Sequence, residues 1–103
     1  MNNKIIIFVG LNDQRTKTQE ISTLDAYKIA SNLLVDIIGF GTITESKGIY
    51  THNDGTIVQE TTLRIEVSNI DLEPMKRLAL ALKQAFNQES VAFEVVKSDF
   101  SFI

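Results

Sequence analysis

Near its start the sequence reads K-I-I-I-F-V-G-L from Lys4 to Leu11, apolar from Ile5 onward, then turns polar at once from Asn12 to Glu20. A helix needs roughly 20 apolar residues to cross a bilayer, so this short run reads as a strand buried on both faces rather than a membrane span. Ile5, Ile7 and Val9 share one parity of that strand, and Ile6 and Phe8 share the other. Apolar residues then recur at spacings of three and four, at Leu24, Tyr27, Ala30, Leu34 and Ile37 or Ile38, which is the stripe of an amphipathic helix. Ser22 is placed to cap it, with Asp25 three residues on in capping-box position, and Gly39 ends it as the C′ residue.

Phe40 to Tyr50 reads as a polar strand with Ile43 and Ile49 on one parity. Thr51 to Thr56 carries Asp54-Gly55, a short-range hairpin signal, and Ile57 to Val67 forms the return strand. That strand sets Ile57, Leu63, Ile65 and Val67 on one face. Val58, Glu60, Thr62, Arg64 and Glu66 lie on the other, where the charges are expected to pair across strands or across an interface. Asn69 and Asp71 are candidate caps for a second helix that tolerates Pro74 in its first turn. Its stripe is Leu72, Met75, Leu78 or Ala79, Leu82, and Ala85 or Phe86. Asn87 to Ser90 breaks the helix, Val91, Phe93 and Val95 alternate as a last strand, and Asp99 to Ile103 is a short tail with apolar Phe100, Phe102 and Ile103.

The order β-α-β-β-α-β predicts one α+β domain over residues 1–103, a ferredoxin-like sandwich with two helices on one face of an antiparallel sheet. The apolar first strand and the third are then central, and the polar second strand is an edge. Two consequences follow from this topology. Helices cover one face only, so Ile6 and Phe8 on the open face need another cover; leaving them wet forgoes about 1.5–3 kcal/mol each. A homo-oligomer supplies one, as a homodimer packed sheet to sheet or with Phe100 and Phe102 crossing between subunits. The alternative is that the tail folds back over its own sheet. The threading also brings the 12–20 loop, the 51–55 hairpin tip and the 87–90 connection to one end. Asn12, Asp13, Arg15, Lys17, His52, Asp54, Gln88 and Glu89 are therefore the expected ligand- or partner-binding residues.

Composition narrows the chemistry. With no cysteine there is no disulfide, no thiolate metal site and no cysteine nucleophile, which fits a cytoplasmic protein without an export signal. A net charge of −3, a pI near 5.0 and scattered Lys and Arg argue against nucleic acid. His52, the only histidine, has an acid/base pKa suited to catalysis, but hairpin tips gather polar residues for their own reasons. One histidine among scattered carboxylates makes no transition-metal site, and neither metal nor cofactor is expected. Asp13, Arg15 and Lys17 are able to grasp an anion, yet both glycine-rich phosphate cradles are absent. Ser22 and Thr23 lack a nearby base and read as caps, so no catalytic residue is assigned.

The I-I-I-F-V-G-L-N-D opening, the H-N-D-G hairpin and the N-Q-E-S-V approach to the last strand resemble small ferredoxin-like α+β proteins of phages and mobile elements in low-GC bacteria, a group with no agreed activity. The resemblance implies an accessory role such as inhibiting a host defence protein. The leading expectation is a non-enzymatic, oligomeric binding domain that presents its loops to a protein partner or a small polar ligand. The alternative is a small enzyme or binder acting on an anionic, phosphorylated metabolite, with His52 as acid/base and Arg15 or Lys17 clamping charge. A purely architectural oligomer is the third reading.

Overall fold

The computed structural model, which describes residues 3–51 and 53–103, turns the alternation of the first strand into a two-sided sheet. The elements are β1 (Asn3–Gly10), α1 (Thr23–Ile37), β2 (Thr42–Thr51), β3 (Ile57–Ser68), α2 (Leu72–Ala85) and β4 (Ala92–Lys97). The strands are ordered β2-β3-β1-β4 and every neighbouring pair is antiparallel. This is the ferredoxin-like βαββαβ arrangement that the sequence predicts, with β1 and β3 central and β2 at an edge. Ile5, Ile7 and Val9 of β1 and Leu63, Ile65 and Val67 of β3 are buried against Met75, Leu78 and Leu82 of α2 and Ala26, Ala30 and Leu34 of α1.

The stripe of α1 is rotated from its expected position. Ala26, Ala30 and Leu34 are buried and Ile29, Leu33 and Ile37 pack beside them, whereas Leu24 and Tyr27 face outward. The chosen face is apolar at positions 26, 29, 30, 33, 34 and 37, a fuller i, i+3, i+4 pattern than the one beginning at Leu24, and alanines let the helix approach closely. Its caps follow expectation. Ser22 Oγ accepts the Asp25 N–H at 3.1 Å, and Gly39 takes φ +103° while donating its N–H to Leu34 O at 3.0 Å.

On the open face, Ile6 is only 6% exposed within a single chain, so the expected need for a partner subunit to cover it does not arise. The register sets Ile6 between Glu66 and Glu94. Phe8 is partly buried, with the Arg64 guanidinium 5.9 Å from its ring centre. Arg64 pairs with Glu66 at 2.7 Å and Lys4 approaches Glu66 at 4.0 Å, so long charged side chains with apolar stems roof this face. Phe100 and Phe102 stack edge to face at 5.0 Å and line a groove with Phe40, Thr42, Glu66 and Ser68, so the tail returns to the far end of its own sheet. Phe102 nevertheless stays 92% exposed.

β2 and β3 outrun the sheet. β1 pairs with β3 only as far as Gly10–Thr62, while the β2–β3 ladder continues from Lys47–Thr61 to Thr51–Ile57. The result is a projecting two-stranded arm on a molecule measuring 47 × 26 × 23 Å. Ile49 and Ile57 are 66% and 68% exposed on it. Among the described residues no helix is long and apolar enough to cross a membrane.

Candidate functional site

Two turns distant in sequence are tied together beside the root of this arm. The 12–20 loop is itself ordered: Asn12 and Gln19 form an isolated bridge, and Asp13 N–H donates to Thr18 O at 2.8 Å. Lys17 closes the loop by donating its N–H to Asp13 O at 2.8 Å, with φ at +63°. A lysine in left-handed backbone costs about 1 kcal/mol more than a glycine would.

The second turn follows α2. Asn87 takes φ +48° as the C′ residue, its N–H donating to Gln84 O and that of Gln88 to Lys83 O, which together make a Schellman cap. The cap leaves Asn87 and Gln88 facing the loop. Asn87 Nδ2 donates to Asp13 Oδ2 at 2.9 Å, and Gln14 Nε2 donates to Asn87 Oδ1 at 2.9 Å. Gln14 N–H also donates to Asn87 O at 3.0 Å, and Gln88 Nε2 donates to Asn12 O at 2.7 Å. Asp13 accepts as well from the backbone N–H groups of Arg15 (2.8 Å) and Thr16 (3.1 Å). The Asn87 amide, followed by these two N–H groups, holds the Asp13 carboxyl below the usual 3.8. Hydrogen bonds from the Thr18 and Thr16 hydroxyls likewise lower Glu20.

Glu60 completes the arrangement from β3. Its Oε2 accepts the Asn12 N–H at 3.0 Å, and its carboxyl lies over Gly10, where a Cβ would come within 2.5 Å of it. Glycine at position 10 is thus what lets a carboxylate lie across the end of β1. Loop, turn and arm root enclose a cavity of about 420 Å³, within the range of small-molecule sites. Among the described residues its charged lining is three carboxylates and one ammonium: Asp13, Glu60, Glu89 and Lys17. Tyr50, Thr56 and Val58 form the arm side.

Of the residues expected to converge, Asn12, Asp13, Lys17, Gln88 and Glu89 line this one cavity. Arg15 is exposed and contributes only its backbone N–H to the Asp13 turn. Asp54 accepts the Thr56 N–H at 2.9 Å and shapes the hairpin tip outside the cavity. His52 lies outside the described residues. Glu60, Tyr50 and Asn87 were not singled out by sequence as site residues. Glu60 was grouped with Arg64 and Glu66 as a strand charge, but only the latter two pair. Among the described residues no group of His, Cys, Asp or Glu is arranged to hold a metal ion.

No protein-family model matches the chain, and no curated protein matches it in sequence. Solved structures do. A phage SAM lyase in complex with S-methyl-5′-thioadenosine is 25% identical, with a TM-score of 0.68 over 92% of this chain and 80% of that one. A phage SAM lyase in its apo state is 27% identical, with a TM-score of 0.63 over 93% and 80%. CutA from Synechococcus elongatus shares the fold at 13% identity, with a TM-score of 0.58 over 94% and 78%. The expectation of a non-enzymatic binding domain that inhibits a host defence protein is overturned by the likeness to the phage lyase, which is an enzyme with a small-molecule ligand.

Proposed function

We propose that this chain is a lyase that cleaves S-adenosylmethionine, and that the cavity at the arm root is its substrate site. The likeness to the phage SAM lyase holding S-methyl-5′-thioadenosine carries the reading. The lining charge supports it independently. S-adenosylmethionine bears two cations, the sulfonium and the α-ammonium, and one anion, its carboxylate. Three carboxylates and one ammonium form the complementary set. A phosphorylated substrate would meet repulsion from the same carboxylates, so only the enzymatic half of the earlier alternative is retained.

Release of S-methyl-5′-thioadenosine breaks the bond between sulfur and the γ-carbon of the amino-acid arm. Attack on that carbon by the substrate's own carboxylate oxygen balances the step. One C–O bond forms, the C–S electron pair goes to sulfur, and the products are the neutral thioether and a five-membered lactone. Neither water nor a protein base is consumed. The sulfonium and carboxylate charges annihilate in this step, which a partly dehydrated cavity favours. The ammonium keeps its charge throughout, and Glu60, Asp13 and Glu89 are suited to hold it. Tyr50 offers an aromatic surface for the adenine.

A phage origin and a cytoplasmic location belong to the same reading, since the substrate is an intracellular metabolite. A homo-oligomer also belongs to it, resting now on the exposed Ile49 and Ile57 of the arm rather than on Ile6 and Phe8. Incubation with S-adenosylmethionine, followed by chromatography, tests the activity. Accumulation of S-methyl-5′-thioadenosine is expected, with KM raised about tenfold or more in Glu60→Gln, the loss of one charged hydrogen bond of roughly 1.5–3 kcal/mol. Intact substrate after prolonged incubation with the wild-type protein would refute the proposal.

A further inference from the structure

The 12–20 loop carries two cations, but only Lys17 of these lines the cavity, and among the described residues it is the sole positive side chain there. Among the described residues its ammonium has no ion-pair partner, although Asp13, Glu60 and Glu89 border the same space. Its backbone sits at φ +63°, a conformation that glycine or asparagine adopts more readily. The position therefore carries a long cationic side chain against local backbone preference. Strain held at a pocket wall points to a use for the side chain that the fold itself does not supply.

We infer that Lys17 reads the carboxylate of the substrate, making it the specificity-determining residue for the amino-acid end of an adenosyl ligand. The assignment rests on the substrate class proposed above and adds to it an orientation. The amino-acid arm lies against the loop, with its carboxylate on Lys17 and its ammonium toward the acidic residues. The adenosine is left toward Tyr50 and the arm. An ammonium paired with a carboxylate in a partly dehydrated site discriminates strongly against a ligand that lacks the carboxylate.

Binding of three unreactive probes by calorimetry separates the possibilities: S-adenosylhomocysteine, its decarboxylated analogue and S-methyl-5′-thioadenosine. The wild type is expected to favour S-adenosylhomocysteine over the decarboxylated analogue by about tenfold, equivalent to roughly 1.4 kcal/mol. Lys17→Gly should erase that preference while binding S-methyl-5′-thioadenosine as the wild type does. Its melting temperature should stay within a few degrees, because relief of backbone strain offsets the greater freedom of the unfolded chain. Lys17→Arg should restore the preference, and Arg15→Ala should leave it intact.

A Lys17→Gly protein that still discriminates overturns the inference while leaving the substrate proposal standing. Equal loss of all three probes assigns Lys17 a structural role and overturns it too. Loss of the preference in Arg15→Ala would mean that loop charge in general, not Lys17, sets it. A wild-type protein that binds none of the probes removes the substrate proposal itself.

Discussion

Asp13 shows how a single half-buried aspartate organises a site. Its two oxygens accept from Asn87 Nδ2 and from the N–H groups of Arg15 and Thr16, and these bonds hold its pKa below the usual 3.8. A depressed folded value means that the tether contributes fully above the unfolded value and is lost as pH falls through the folded one. The Asn87 side-chain amide resonances should therefore stay constant from neutral pH down to the usual aspartate range and move only below 3.8. Asn87→Ala removes the largest cause of the shift and should return the Asp13 midpoint toward that value. Movement of the Asn87 amide at higher pH would contradict the tether. The sequence exposed part of this chemistry. Asp13, Lys17 and Gln88 stand out as polar residues in loops, and the topology brings those loops to one end. Glu60 did not stand out, because parity gives the face of a strand residue but not what lies diagonal to it. Only the Gly10–Thr62 register places its carboxyl over a residue without a side chain.

At the scale of elements, α1 and the β2–β3 hairpin depart most from the sequence reading. The α1 sequence offers two apolar stripes, and periodicity alone does not choose between them; close packing selects the face with Ala26 and Ala30. The hairpin was legible as two strands and an Asp-Gly turn. Its projection was not, because that depends on where β1 stops beside it. An arm with Ile49 and Ile57 two-thirds exposed is a surface that self-association would bury, each isoleucine contributing about 1.5–3 kcal/mol. Light scattering of the wild type should report an oligomer, and Ile57→Asp should shift it toward the monomer without unfolding the body. A wild-type monomer at high concentration would exclude the arm as an interface.

For the whole molecule, strand order and the choice of central strands follow from patterning, because β1 is the most apolar segment and the order of elements admits few threadings. Function was far less legible. Recognition of a small dication with one carboxylate needs no contiguous motif and, with an internal nucleophile, no catalytic triad. On the proposed reading its parts would be a loop aspartate, a loop lysine, a strand glutamate and a turn glutamate, which line one cavity only in the fold. The most direct test is a titration of the isotopically labelled protein with S-methyl-5′-thioadenosine followed by amide NMR shifts. Shifts centred on Asn12, Tyr50, Glu60 and Gln88, with Thr42 and Ser68 at the far end unmoved, are the expected result. Shifts confined to the far groove beside Phe40 and Phe102, or none at saturating ligand, would contradict the assignment of the arm-root cavity as the substrate site.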